Sequence, residues 1–343
     1  MELLSSIWQI DKIISEELSN RKDNSYESEL TRLLEKYREI LKQYSQDGKR
    51  SIYQDEYIFK YMKKIIPKIK KLADLYLKGN IIDFNKVSLS LFNAQSNNET
   101  ASAWFPTTTI RKDSLWYRAR KPDLVKRFVR EELFHVPFQE RGKASSDRFS
   151  LPGYPCLYLG KSLKCVDVET GVSGIKAVSC FKLLQDIETY DFTFFSPEDQ
   201  NDNKRLIKNL MTYPFKIASS IQTIDDEKHK DEGFKAEYII PQLLLHCVIK
   251  QRGTGGNIKG ILYSSTKDIS NQIDAPILYN LVVPTTFNRE KGYCSNLNTY
   301  FSITEPEIVP FPYFDEKSVQ FIQQEMGKKQ FSQIDIDYDT SKK

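Results

Sequence analysis

Arg118 is the first residue whose setting demands an explanation, because Leu115-Trp116-Tyr117-Arg118 reads as a strand. An arginine buried without a partner is costly, so it must meet either a carboxylate in the core or a bound anion. A second segment gathers more chemical groups. It runs Arg148-Phe149-Ser150-Leu151-Pro152-Gly153-Tyr154-Pro155 and continues as the apolar stretch Cys156-Leu157-Tyr158-Leu159-Gly160. Pro152 and Gly153 shape a turn, and the apolar stretch reads as a strand ending at Gly160. Ser162 can then cap a short helix that carries Glu169 about two turns on. A carboxylate just beyond the C-terminal end of a strand is placed to face a cleft. A blander account keeps Tyr158 as a core aromatic and Glu169 as a surface residue, and pattern alone favours that account.

Charge is concentrated locally. From Arg111 to Arg130, eight basic residues stand against Asp113 and Asp123. Such a lip would concentrate an anionic ligand, whether nucleic acid, dinucleotide or phosphate. A solvated helix face between Pro122 and Leu133 accounts for most of these residues more simply. The three histidines, His135, His229 and His246, form no metal constellation, and His246 reads as a core histidine in an apolar helix. The stretch Gly253-Thr254-Gly255-Gly256-Asn257 lacks the lysine and hydroxyl of a phosphate loop and reads as a flexible loop. Cys156, Cys165, Cys180, Cys247 and Cys294 have no short paired spacing, which fits small buried hydrophobes in a reducing compartment.

The elements that must position these groups fall into two textures. Leu3, Leu4, Ile7, Ile10, Ile13, Ile14 and Leu18 recur at helical steps, as do Leu30, Leu33, Leu34, Tyr37, Ile40, Leu41 and Tyr44. Tyr57, Tyr61, Ile65, Ile66, Ile69, Leu72 and Tyr76 form a third run, with Pro67 expected to kink it. A fourth helix spans about 84–92, and four amphipathic helices make a small bundle. The polar stretch 93–100 is the expected boundary, giving a bundle over 1–98 and a second domain over 99–343. In the second domain, strands are expected at 115–118, 155–159, 175–184, 188–194, 260–263 and 276–283. Helices are expected from Ser196-Pro197, over 235–248 and over 316–326, with a mobile polar tail after Ser332. The fold class is α+β: a helical bundle followed by a mixed α/β domain.

Composition sets the outer bounds. The chain has 343 residues, 40% hydrophobic and 28% charged, with a net charge of +4. That is an ordinary globular balance, too little charge for the whole chain to act as a polycation. No run approaches the ~18 to 20 apolar residues of a membrane span. Met1-Glu2 opens an amphipathic pattern rather than a secretory signal, so a cytoplasmic protein is expected.

The set Tyr117-Arg118, Arg148-Phe149-Ser150 with Gly153 and Pro155, and Cys156-Leu157-Tyr158-Leu159-Gly160 with Ser162 and Glu169 resembles the core of the RES domain family. The serine of that family would lie in Gly260-Ile261-Leu262-Tyr263-Ser264-Ser265, where the alignment selects Ser265 and Ser264 is a near miss. Phe234 to Gln242 resembles a helix of the subgroup with an N-terminal HEPN-like helical domain. Where many members have Arg-Trp-Asn, this chain has Arg-Phe-Ser, so Ser150 stands in the asparagine's place. The Arg130-to-His135 spacing has the form of the HEPN ribonuclease motif but falls well past the helices that would carry it. The bundle is therefore expected to be a non-nucleolytic scaffold.

The resemblance implies an ADP-ribosyltransferase-like fold and an NAD-consuming toxin or defence effector. NAD would be the substrate, with inorganic phosphate a possible co-substrate and no metal. Breaking the nicotinamide–ribose bond builds an oxocarbenium-like transition state. On this resemblance Glu169 would stabilise that cation, and Arg118 and Arg148 would hold phosphate oxygens by forked hydrogen bonds. Tyr158, or more weakly Tyr117, would stack on nicotinamide. Ser265 would position ligand, not attack it. Partners implied are a cognate antitoxin or regulatory protein, or a second copy of the chain through the bundle. Two other functions compete: ADP-ribosyl transfer to a macromolecule through the same cleft, and a non-catalytic nucleic-acid-binding module using the basic stretch.

Overall fold

A computed structural model describes residues 2–22, 25–46, 56–92, 105–121, 128–144, 146–171, 174–194, 203–224, 233–253, 255–267, 278–311 and 316–339. The expected boundary at 93–100, the Ser196-Pro197 helix start and His229 lie outside the described residues. In chain order the elements begin with α1 (Glu2–Ser19), α2 (Tyr26–Gln46), α3 (Glu56–Leu77) and α4 (Ile81–Phe92). Then come β1 (Thr107–Ile110), β2 (Leu115–Arg120), β3 (Cys156–Gly160), α5 (Leu163–Thr170), β4 (Gly174–Leu183) and β5 (Ile187–Phe192). α6 (Asn203–Ser220), α7 (Ile239–Gly253), β6 (Ile258–Ser264) and β7 (Tyr279–Pro284) follow. The last elements are α8 (Ser295–Tyr300), β8 (Phe301–Ile303), β9 (Glu307–Phe311) and α9 (Glu316–Lys328). The class is α+β, helices first and a mixed domain after.

The chain forms two compact units that alternate along it. The first holds 1–106, 191–247 and 268–277; the second holds 107–190, 248–267 and 278–343. A single cut near residue 98 therefore does not describe the division. The reason lies in α6, whose apolar face belongs to the helical unit. There Tyr213 stacks on Tyr37 with ring centroids 4.7 Å apart, and the Tyr37 hydroxyl donates to the Leu210 carbonyl oxygen at 2.7 Å. Tyr213 in turn donates its hydroxyl hydrogen to Asp11. Ile10, Ile14, Leu33, Leu34, Ile65 and Ile69 are buried as the periodicity requires. α3 runs through Pro67 as one helix. His246 is exposed, so the expectation of a core histidine is corrected.

The second unit is organised by a sheet of order β1-β5-β6-β7-β3-β2-β4-β8, with β9 also paired to β4. β1, β8 and β9 are strands that the sequence reading did not expect. β2 pairs with β4 over all six of its residues, Leu115 to Arg120. β3 pairs with β7 over all five of its own. Between β2 and β3 the ladder is one register pair, Tyr117 opposite Gly160. The two halves of the sheet thus meet at that pair, and Arg118 to Arg120 face Leu157 to Leu159 without a ladder.

The chain end is also corrected. Ser332 bridges to Ile303, the Ile336 carbonyl oxygen accepts the Tyr293 N–H at 2.8 Å, and Ile334 is buried. Burial of Ile334 holds residues through 339 against the unit, where composition had suggested a loose tail.

Candidate active site

Glu169 is delivered by α5, a helix whose limits are written in the sequence. Ser162 caps its start by accepting the Cys165 N–H at 3.1 Å. Gly171 ends it in the left-handed conformation, φ 62°, which favours glycine. Gly160 lets the helix lie close on β3, because a Cβ there would meet Val166 Cγ2 at 2.8 Å. So placed, Glu169 is half-buried, and its Oε1 accepts the side-chain N–H of Asn280 at 2.5 Å. Asn280, on β7, is buried, and its Oδ1 accepts the Cys165 thiol at 3.3 Å. That thiol fixes which end of the amide faces the carboxylate. Lys267 adds a bond from its ammonium to the Glu169 carbonyl oxygen at 2.8 Å.

Register puts Tyr158 and Tyr263 on the sheet face that carries Asn280, since Tyr263 pairs with Asn280, which pairs with Gly160. Burial pushes both phenols well above their ordinary pKa. After burial, Glu169 adds to the rise of Tyr263 and Arg148 opposes it, so the acid and the arginine act on one hydroxyl. Tyr158 feels Cys156, Asp147 and Tyr263, with Ser150 acting against the rise. Phe149 lies on Tyr263 with ring centroids 4.5 Å apart. Ser150 is buried and its hydroxyl oxygen accepts the Asp147 N–H at 2.7 Å, closing the turn that presents Arg148 and Phe149.

Arg118 stands at the gap between β2 and β3. It is half-buried and donates to the Phe134 carbonyl oxygen, and no described carboxylate forms an ion pair with it. Burial, and after it the neighbouring Arg120, push its pKa down to about 9, with Asp147 and Tyr158 opposing. Of the two explanations for an arginine in this strand, the core carboxylate is absent among the described residues.

Tyr117 pairs with Gly160, so it lies on the face of Asn280, Tyr158 and Tyr263 and is buried there with Leu163, Val166 and Met326, while Arg118 alternates to the other face. Ser265 is fully buried, and its hydroxyl oxygen accepts the Lys267 N–H at 3.3 Å. It holds the turn that delivers Lys267. Ser264 is buried within β6.

Sequence reasoning missed Asn280, Tyr263 as an aromatic wall, and Arg120. Arg120 carried a readable signal, because arginines two apart on a strand share a face. Asn280 carried none. The arginine–four–histidine spacing belongs to the second unit: Arg130 pairs with Glu305 at 2.7 Å and His135 is buried. Among the described residues no His, Cys, Asp and Glu cluster could hold a metal, and no helix is long and apolar enough to cross a membrane.

A Glu held by an amide, on a sheet face that carries buried aromatic rings, can stabilise a developing cation. No protein-family model matches the chain, and no solved structure matches it. The chain is 32% identical over 256 residues to a Bacillus subtilis (strain 168) protein named "Putative toxin YopC". The match covers 69% of this chain and 56% of that protein, so the chain spans little more than half the length of its relative. That likeness supports a toxin role.

Proposed function

We propose that this protein is a toxin that consumes NAD, breaking the nicotinamide–ribose bond by hydrolysis or phosphorolysis. The observation that carries the reading is the Glu169 carboxylate held by Asn280 in the same unit as Arg118, which makes no ion pair with a described carboxylate. The resemblance of the Arg118, Arg148 and Glu169 segments to the RES family supplies the substrate class.

The chemistry is consistent with these groups. Nicotinamide leaves as a neutral molecule, so no general acid is needed at the leaving group. Positive charge grows on the ribose, and a fixed carboxylate stabilises it most where water is excluded. The Asn280 amide keeps the Glu169 carboxylate in one orientation and pre-empts its rotation. Tyr263 and Phe149 offer flat surfaces for a ring, and Tyr158 stands beside them. Arg118 and Arg148 supply positive charge for phosphate oxygens.

The test is to incubate the purified full chain with NAD, with and without inorganic phosphate, and follow free nicotinamide. Release that depends on Glu169 supports the reading. A folded protein that leaves NAD intact under both conditions removes it. Product analysis separates ADP-ribose from its 1-phosphate, and labelled NAD shows whether the ribosyl group passes to a macromolecule.

A further inference from the structure

The solvent side of α3 carries one sign of charge over most of its length. From 60 to 71 its exposed residues are Lys60, Lys63, Lys64, Pro67 and Lys71, with Lys68 half-buried beside them. None of these lysines forms an ion pair with a described residue. Lys68 donates to Ser90 Oγ at 3.1 Å, and burial, with Lys64 adding to it, holds its pKa below the ordinary lysine value. Like charges three and four residues apart weaken the helix that carries them. Exposed bases on α2, α4 and α9 are balanced one turn away, Arg38 by Glu35, Lys86 by Asp83 and Lys328 by Glu325. Solvation alone gives no reason for leaving the acids out of α3.

An apolar strip adjoins this row. The bond from Lys68 to Ser90 ties the row to α4, and Asp83, held low chiefly by its bond to Lys86, also feels Lys71. On the same helix Ile82 is 72% exposed and Leu89 52%. Seven residues apart, they share one face at a separation of about 10 Å along the axis. Exposed Asn85 lies between them and Lys86 beside them. The surface therefore offers a line of cations and, next to it, two uncovered aliphatic side chains.

We propose that α3 and α4 form a docking surface for an acidic amphipathic helix of a partner protein. Carboxylates at four-residue steps on such a helix match Lys60, Lys64 and Lys68, which rise about 6 Å apart. Its apolar stripe covers Ile82 and Leu89 in the manner of a helix laid in a groove. Nucleic acid would answer the charge and leave both aliphatic side chains against phosphates. An anionic bilayer would answer both, but inserting Ile82 and Leu89 would carry the Asn85 amide among acyl chains without a partner. A protein helix meets the cations, the aliphatic pair and the amide together. The proposal does not rest on the NAD reading.

The full chain is titrated with a synthetic helical peptide that carries glutamates along one flank and leucines along the other, and with a scrambled peptide of the same composition. The patterned peptide is expected to bind about tenfold or more tightly than the scrambled one, with an affinity that falls as salt rises. Lys64→Glu should weaken that binding about tenfold and melt no lower than the wild type, because it turns two repulsions on α3 into attractions. Leu89→Gln should weaken it severalfold at an unchanged melting temperature, since Leu89 is exposed. Lys328→Gln, which removes the partner of Glu325 on α9, should leave binding unchanged. The proposal is overturned if neither peptide binds, if the two bind alike, or if Lys64→Glu or Leu89→Gln binds as the wild type does. It is also overturned if duplex DNA binds more tightly than the patterned peptide and ignores Leu89→Gln. Pelleting of the chain with phosphatidylserine vesicles that the peptide does not displace would likewise overturn it and assign the surface to a membrane.

Discussion

Asn280 donates its side-chain N–H to Glu169 Oε1 at 2.5 Å across 111 residues of chain. The donor comes from a central strand and the acceptor from the last turn of a short helix. Neither position signals the other in the sequence. The bond makes Glu169 a fixed group instead of a freely rotating surface carboxylate.

Replacing Glu169 by Gln should abolish nicotinamide release and shift the melting temperature little, because the Asn280 amide can donate to the new side-chain oxygen. Asn280→Ala should lower the rate roughly ten- to a hundredfold, the equivalent of about 1.5–3 kcal/mol for a hydrogen bond to a charged group. Nicotinamide assays paired with thermal melts check both. An Asn280→Ala variant that releases nicotinamide at the wild-type rate would show that the bond orients nothing.

Cys165 is the hidden member of this arrangement. Its thiol donates to Asn280 Oδ1 at 3.3 Å and lies 3.2 Å from the Tyr279 carbonyl oxygen, and burial pushes its pKa up. Cys165→Ala should free the amide to turn over and reduce kcat severalfold, whereas Cys165→Ser, which keeps a donor, should restore most of it. Equal loss in both variants would point to packing alone.

Gly160→Ala tests the close approach of α5 to β3. The added Cβ would lie 2.8 Å from Val166 Cγ2 and 3.3 Å from the Val166 backbone nitrogen. Overpacking of this kind costs about 1–3 kcal/mol and should move Glu169 with the helix. Denaturant titration should show the loss, and Val166→Ala in the same chain should recover part of it. An unchanged midpoint for Gly160→Ala would mean that the helix shifts freely.

His135 predicts a pH dependence. It is buried, its Nε2 accepts the Cys294 N–H at 2.8 Å, and its Nδ1 lies 2.7 Å from the Val136 carbonyl oxygen. That is a neutral imidazole, and burial, with Arg118 adding, pushes its pKa from 6.5 to about 3, against the Val136 bond. The unfolded chain takes up a proton near pH 6.5 and the folded chain does not, so the contribution is complete above that pH and is lost as pH falls towards 3. The slope reaches about 1.4 kcal/mol per pH unit. Denaturation of His135→Gln and wild type at pH 7, 6 and 5 should therefore converge as pH falls; parallel curves would contradict it.

The sequence by itself determined the local pieces: the helical runs of the first ninety residues, the apolar β3, the Ser162 cap and the Gly171 end that place Glu169 on α5. Each follows from side-chain period or from a backbone conformation, which neighbouring residues decide among themselves. It also marked Arg118 as a cation that needs a carboxylate or a bound anion. Only the tertiary structure decided what Glu169 is bonded to, because Asn280 reaches it through strand order and not through proximity in the chain. Register separated Tyr117 from Arg118, since adjacent strand residues point to opposite faces. Long-range burial moved α6 into the helical unit through Tyr213 on Tyr37 and pinned the polar end of the chain through Ile334. Composition cannot report such contacts, because burial depends on which distant surface arrives.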